Sequence, residues 1–241
     1  MSSLIERARD RGASAVGWRE VPSDDPMIGQ DMSRGWDDRQ ERTRAEVLAA
    51  VGDIVAADGL DGLTMRKLAE RAGVAVATLY SQFDDRDGVL VAFVSNGLDQ
   101  LEKELDEQPA AGPIDTTRAL FVGLDQTIGA TVDVWRPVLA AVKSGPGIDS
   151  MGAVGDRIVN SIENDLAKAA ADGMFIAECD TGRLARHLFM QRMHILERWA
   201  HGSIDWDQYR TMSDLSVELS LAAVLIDPYR EQAVRSVGII R

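Results

Sequence analysis

The chain's three histidines lie at seven-residue intervals, at His187, His194 and His201. Seven residues of α-helix rise about 10.5 Å, so the imidazoles share nearly one helical face but stand too far apart to bind one metal ion within a chain. The sequence therefore predicts no metal site within the chain. Two interpretations stay open: polar positions beside an interface between two chains, or a metal or pH sensor formed across that interface.

Residues for covalent or redox chemistry are scarce. The single cysteine, Cys179, excludes an intrachain disulfide and has no metal ligands at useful spacing. We interpret it as a small core residue, with a redox sensor as the alternative. The sequence shows no nucleophile motif, no phosphate-binding glycine loop and no strand pattern for a doubly wound sheet. We therefore predict a protein that is not an enzyme and that needs no cofactor.

The composition predicts a globular protein. Its 241 residues are 45% hydrophobic, which is enough for a sizeable core in one large or two modest domains. No signal-peptide pattern precedes the core, and the longest later apolar run, Leu221–Ile226, is far shorter than the ~20 residues that span a bilayer. We predict a cytoplasmic protein without a membrane partner.

A formal net charge of −13 argues against non-specific coating of nucleic acid or of anionic membranes. Basic residues nevertheless gather locally. They are Arg39, Arg42 and Arg44 in one group and Arg66, Lys67 and Arg71 in another. Either group can be a contact surface or a set of solvated charges, because acidic residues intersperse the first.

Helical spacing runs through the first half of the chain. A helix is predicted over 39–57, where five apolar residues recur every three or four positions. Thr64 stands where its hydroxyl can cap a short helix that ends at Gly73. A second short helix is predicted from Ala75 to Phe83. Asp84 and Asp85 then suit the start of a longer helix over 86–107.

Two short helices joined by a tight turn at Gly73 predict a helix-turn-helix. The second helix of such a pair enters the major groove of DNA, which is roughly 12 Å wide. The early break at Gly73 is therefore what lets the following helix project from the domain.

The run from Arg44 to Leu90, above all LTMRKLAERAGVAVATLYSQFDDRDGVL, resembles the DNA-binding domain of the TetR family of regulators. The resemblance implies an all-α homodimer that binds a palindromic double-stranded DNA operator and is released by a small hydrophobic effector. Implied DNA contacts come from Arg44, Thr64, Arg66, Ala75, Val76, Ala77, Thr78, Tyr80, Gln82 and Arg86. A helical protein-binding or scaffold module that has lost specific DNA binding is the alternative.

Three positions depart from the family pattern. Ala75 replaces a frequent serine and removes a helix cap, while Gln82 and Arg86 replace a histidine and a lysine but can still donate to phosphate. Val76 and Ala77 offer methyl groups, which suit a thymine methyl but cannot make bidentate bonds to guanine. We hypothesise that recognition depends on phosphate positioning, Tyr80 and DNA shape more than on guanine contacts.

The rest of the chain also reads as helices. They are predicted over 115–131, 134–143 with an interruption at Pro137, 150–172, 181–200 and 206–226. The last two are joined by a short loop and should pack antiparallel. Their apolar stripes are too wide to be buried within one chain. By analogy with the TetR family, the same two helices of a second chain cover them.

Aromatic and methionine side chains between residues 115 and 200 suit a cavity for a hydrophobic ligand. The predicted ligand contacts are Trp135, Met151, Phe189 and Met193. The predicted organisation is a flexible extension over 1–36, a helix-turn-helix domain over 37–90 and a ligand-binding and dimerisation domain over 91–241. In the extension, Arg7, Arg9 and Arg11 could reach a minor groove.

Overall fold

The computed structural model describes residues 26–144, 148–176 and 179–238, with side chains described for 39–142, 152–176 and 179–238. These residues form ten α-helices: α1 (Pro26–Asp58), α2 (Met65–Ala72), α3 (Val76–Phe83), α4 (Arg86–Glu107), α5 (Pro113–Ala130), α6 (Val132–Ser144), α7 (Ile148–Ala171), α8 (Thr181–Ala200), α9 (Trp206–Ala222) and α10 (Tyr229–Ser236). The prediction of an all-α protein is confirmed. None of the described helices is long and apolar enough to cross a membrane.

The chain divides into two compact units between Arg42 and Thr43, inside α1, and the sites below lie in the second unit. Because α1 begins at Pro26, its first turns fall in the segment for which the sequence predicted a loose extension. The arginines proposed for a minor groove precede residue 26 and lie outside the described residues.

The helix-turn-helix forms as predicted. Thr64 adopts an extended backbone and its hydroxyl accepts a hydrogen bond from the Lys67 amide at 3.2 Å, so it caps α2. Gly73 ends α2 in the left-handed conformation, with φ 68°, where a side chain would be strained. Asp85 caps α4 by accepting from the Gly88 amide at 2.8 Å.

A single apolar cluster fixes the two short helices on their neighbours. Leu68 of α2 and Leu79 and Phe83 of α3 are buried against the inner face of α1 and against Val89 and Leu90 of α4. Fully burying side chains of this kind stabilises the fold by about 1.5–3 kcal/mol each. α3 is thus anchored on the first turns of α4.

Pro137 does not interrupt the sixth helix, contrary to the prediction. The helix continues from Val132 to Ser144 with the proline inside it. Proline removes one backbone hydrogen bond, yet Val134, Trp135 and Val138 around it are buried. Burial of these side chains outweighs the lost bond.

The C-terminal end differs most from the prediction. α9 ends at Ala222 rather than near Ile226, because the chain turns and Leu225 forms an isolated antiparallel bridge with Phe175. The Ile226 amide donates to the Met174 carbonyl at 2.9 Å. α10 follows and was not predicted; its Ala233 is fully buried in the second apolar cluster.

α8 and α9 pack antiparallel, as predicted. Trp199, near the end of α8, contacts Trp206 and Tyr209 at the start of α9, with ring centroids 4.9 and 5.9 Å away. At the opposite end, Leu188 of α8 shares a cluster with Leu221 of α9. Both ends are therefore closed by apolar contacts.

Candidate nucleic-acid interface and ligand cavity

The third helix presents one side to solvent. Leu79 and Phe83 face the core, whereas Tyr80 is 50% exposed and Val76 is 38% exposed. Ala75 and Ala77 are exposed as well, and Thr78 is half-buried. The side chains predicted to face DNA bases thus project outward from a helix whose other side is anchored.

Four predicted contact residues come together beside this helix. Thr64, Arg66, Tyr80 and Arg86 line one shallow cleft between α2, α3 and the start of α4. The cleft combines hydroxyl groups with guanidinium groups, which are the donors that phosphate oxygens accept. Asp61 lies in the same cleft and opposes an anion, so the positive charge there is partly offset.

The side chains of Gln82 and Arg86 are partly buried within the protein, whereas the sequence suggested that both face DNA phosphates. The Arg86 Nη2 atom donates to the Leu60 carbonyl at 2.8 Å, and its Nε is buried without a partner among the described residues. Oε1 of Gln82 is buried without one as well. Arg86 therefore fixes the 3₁₀ turn Leu60–Gly62 before α2, and phosphate contact by either residue stays a prediction.

The basic residues of α2 are also largely occupied. Lys67 pairs with Asp58 at 2.7 Å and Arg71 pairs with Asp53 at 2.9 Å, so both hold α2 on α1. Arg66 is exposed, and the exposed Arg44 lies over the Phe83 ring at 5.2 Å. Of the second basic group, Arg66 is the member that is turned towards the cleft.

The start of α3 lacks a side-chain cap, as the sequence predicted. Ala75 has the extended backbone of a cap residue, with ψ 142°, but no side-chain oxygen for the first-turn amides. We expect Ala75→Ser to stabilise the protein by about 1 kcal/mol, because it supplies that acceptor. Thermal unfolding measures the change. Ala77→Ser, at the second residue of the helix, is the control and should give a smaller gain because it does not occupy the cap position; an equal gain at both positions would refute the capping argument.

A cavity of about 450 Å³ lies in the C-terminal bundle, between α4, α5, α6, α7, α8 and α9. Its wall is mostly apolar and includes Trp135, Phe189 and Met193, three of the four residues predicted to contact a ligand. The fourth, Met151, belongs to α7, but its side chain lies outside the described residues. Ligand contact by these residues stays a prediction. Other wall residues are Val94, Gly97, Leu98, Leu124, Ile128, Leu139, Gly152, Val154, Gly155, Ile158, Met190 and Leu196.

A buried polar group stands at the cavity, and the sequence analysis missed it. Arg192 of α8 is only 2% exposed and forms an ion pair with Asp125 of α5. The fully buried Tyr209 of α9 donates to the same Asp125 oxygen at 2.9 Å. The sequence did contain one sign of this group: Asp125 lies between Phe121 and Ile128, on the apolar face of a predicted helix.

Burial governs the acid–base behaviour of this group. Desolvation raises the pKa of Asp125 above its usual value, and the charge of Arg192 opposes that rise. Desolvation likewise raises the pKa of Tyr209, so the phenol stays protonated and keeps donating. The three side chains therefore tie α5, α8 and α9 together.

The three histidines are exposed: His187 and His194 lie on α8, and His201 follows its last residue, with ring Nδ1 3.0 Å from the Glu197 carbonyl. Within the described ranges, no three His, Cys, Asp or Glu side chains come together as metal ligands would. Cys179 is half-buried, and its pKa is raised by burial. The described residues thus combine a helix-turn-helix, whose second helix has an exposed face, with a helical bundle that holds an apolar cavity.

Part of the chain matches a known family of proteins. Residues 48–93 match the family described as "Bacterial regulatory proteins, tetR family". This segment contains α2 and α3, so the helix-turn-helix of the chain is similar to that of the tetR family. The chain is 26% identical over 201 residues to the HTH-type transcriptional repressor KstR of Mycolicibacterium smegmatis, across 80% of this chain and 91% of KstR. Regulators of this family are generally not enzymes.

Solved structures share the fold. SmeT, the repressor of the Stenotrophomonas maltophilia multidrug efflux pump SmeDEF, superposes with a TM-score of 0.60 at 20% identity, over 77% of this chain and 91% of SmeT. FadR of Thermus thermophilus, in complex with lauroyl-CoA, gives 0.57 at 17% identity, over 76% and 95% of the two chains. A SmeT complex with triclosan also matches, with a TM-score of 0.60 at 18% identity, over 78% and 93%.

Proposed function

We propose that this protein is a transcriptional repressor, which binds a palindromic DNA operator as a homodimer and is released by a small hydrophobic ligand. The observation that carries the proposal is the pairing of an exposed, anchored α3 with a cavity of about 450 Å³ in the bundle that follows it. KstR, FadR and SmeT are each named as repressors, and two of them have structures with a bound ligand. The scaffold alternative is not favoured, because α3 keeps its exposed face.

The exposed apolar side chains of the last helices support the proposed homodimer. Met190 on α8 is 63% exposed and Leu219 on α9 is 46% exposed, with Ala223 and Ile226 exposed beyond it. A matching pair of helices from a second chain would bury them across a twofold axis. Twofold symmetry in turn matches a palindromic operator with half-sites about one DNA turn apart, roughly 34 Å.

Two helices can transmit occupancy of the cavity to α3. Val94 and Gly97 of α4 line the cavity, while Val89 and Leu90, one to two turns earlier, pack against α2 and α3. α6 has the same dual role: Trp135 and Leu139 face the cavity, and Val134, Val138 and Val142 join the first cluster.

An ion-pair cluster adds a third link. Arg157 of α7 donates to Asp99 at 2.8 Å and to Glu102 at 2.5 Å, and both carboxylates belong to α4. Neighbouring residues of α7, Gly155 and Ile158, line the cavity. A ligand that moves α7 therefore moves α4, and DNA is released if the ligand favours a spacing of the two recognition helices that no longer fits.

We propose the following division of the chain, which acts in the cytoplasm where bacterial DNA lies. Residues 1–36 are an extension, residues 37–90 bind DNA, and residues 91–241 bind the ligand and dimerise. The first core cluster and the cavity support the last two assignments.

Filling the cavity is expected to separate DNA binding from ligand response. Gly152 lines the cavity and is exposed, and a Cβ there meets no atom within 4 Å, so Gly152→Phe adds a ring at the open side of the cavity without a steric clash. We expect ligand affinity to fall at least tenfold while operator affinity is kept, because the ring obstructs the cavity. Fluorescence anisotropy of labelled operator, titrated with ligand, measures both.

Ala153→Phe is the matched control, because Ala153 is an exposed neighbour on α7 that does not line the cavity. On addition of ligand, the Ala153→Phe variant should release DNA as the unmodified chain does. Unchanged ligand release in Gly152→Phe would show that the ligand acts elsewhere.

A further inference from the structure

The guanidinium of Arg192 is only partly satisfied. Its Nη2 donates to Asp125 and to the Phe121 carbonyl, the latter at 3.0 Å. The rings of Phe121 and Tyr209 flank it, with centroids 4.9 and 5.6 Å from its central carbon. Its Nη1, in contrast, is buried and has no hydrogen-bond partner among the described residues.

A buried donor without an acceptor is costly and rare in folded proteins, so this one calls for a partner. Arg192 belongs to the wall of the cavity, so that partner can come from the cavity's ligand. Arginine has five N–H donors and no acceptor, so a ligand atom that meets it must be an acceptor. Met193, the next residue in the chain and also part of the wall, has a flexible side chain that can adapt to a ligand beside Arg192.

The charges around Arg192 select among acceptors. Asp125 already neutralises the guanidinium, and the hydroxyl of Tyr209 is committed to the same carboxylate. Asp156 and Glu197 add two further acidic side chains to the cavity wall. A carboxylate ligand would thus bring another negative charge into a desolvated site where the guanidinium is already paired with Asp125. A neutral oxygen brings no charge, so it avoids that repulsion.

We propose that the ligand of this cavity is an apolar molecule with a neutral hydrogen-bond-accepting oxygen, such as a ketone or ester carbonyl, which accepts from Nη1 of Arg192. This inference rests on the proposed function, because it names the ligand class of the same cavity. The apolar wall residues, Leu98, Ile128 and Trp135 among them, bind the rest of the molecule.

Three ligands of one size and shape test the proposal: 2-acetylnaphthalene, 2-ethylnaphthalene and 2-naphthoate. They present a ketone, a hydrocarbon and a carboxylate on the same ring system. Equilibrium dialysis at neutral pH measures their binding to the full chain without any DNA. We expect the ketone to bind at least tenfold more tightly than either of the other two.

Equal binding of hydrocarbon and ketone, tighter binding of the carboxylate, or no binding of any of the three would overturn the inference. The paired variant Arg192→Met with Asp125→Asn is a second test, because it removes both charges and keeps an acceptor for Tyr209. The ketone-to-hydrocarbon ratio should fall below threefold in that variant, and a ratio that persists would contradict the role of Arg192.

The proposed DNA binding and the proposed ligand class can be refuted independently of each other. If the protein does not bind DNA, the dialysis ratios are still measured and decide the ligand class. If the three ligands bind with equal affinity, operator binding and its release by other ligands are unaffected. Only the role of Nη1 of Arg192 in ligand binding is then refuted.

Discussion

Arg192→Ala is expected to lower the free energy of unfolding by about 3–5 kcal/mol, because it leaves the buried carboxylate of Asp125 without its cation. Arg192 is 2% exposed and Asp125 is buried too, so the carboxylate that remains is poorly hydrated. The loss is comparable with a large part of the total stability of a domain. Chemical denaturation monitored by circular dichroism measures it.

Two controls isolate the cause of this loss. Arg157→Ala removes an ion pair that is well exposed, so it should cost about 1 kcal/mol or less. Arg192→Met with Asp125→Asn removes both charges and should recover most of the loss. If the double variant were as unstable as Arg192→Ala, packing rather than the unpaired charge would be responsible.

The pH dependence of the same variant follows from the pKa of Asp125. Burial raises that pKa in the folded state, and loss of Arg192 removes the charge that opposes the rise. A raised carboxyl pKa adds stability at low pH that is lost as pH rises through the folded-state pKa. The difference in the free energy of unfolding between Arg192→Ala and the unmodified chain should therefore become smaller as the pH falls below neutrality. A deficit that grows on acidification would contradict this assignment.

Ala77→Glu is expected to weaken DNA binding by about 100-fold, on the order of 3 kcal/mol, without destabilising the fold. Ala77 is exposed on α3, between Val76 and Tyr80. A glutamate there would be desolvated and unpaired against the phosphates of a groove. Binding is measured on a duplex that the unmodified chain has selected from a random pool, by fluorescence anisotropy at fixed salt, because affinities of this kind depend on salt.

The control places the same charge on the other domain. Ala167 is exposed on α7, so Ala167→Glu changes the net charge equally but should alter DNA affinity less than threefold. Equal losses in both variants would mean that overall charge, rather than the face of α3, governs binding. Unchanged binding in Ala77→Glu would remove α3 from the interface.

The helix-turn-helix could be predicted from the sequence because its determinants are local. A cap at Thr64, a left-handed glycine at Gly73 and an acidic cap at Asp85 each act within a few residues, and all three are found in the structure. The bounds of α8, Thr181–Ala200, followed for the same reason from its periodic apolar positions.

What could not be predicted depends on contacts between distant parts of the chain. Asp125 and Arg192 are 67 residues apart, and only the fold brings them to one carboxylate. The early end of α9 is set by the bridge between Leu225 and Phe175, and α10 by the burial of Ala233. The tether from Arg86 to the Leu60 carbonyl is of the same kind, and it explains why a residue predicted for phosphate contact is half-buried.

The central claim is that two copies of α3 probe DNA as a symmetric pair. Selection of duplexes by the full chain from a random pool, followed by sequencing and footprinting of the enriched DNA, tests it most directly. We expect an enriched palindrome whose two half-sites are protected about one helical turn apart. Enrichment of a single unpaired site, or no enrichment above the input pool, would contradict it.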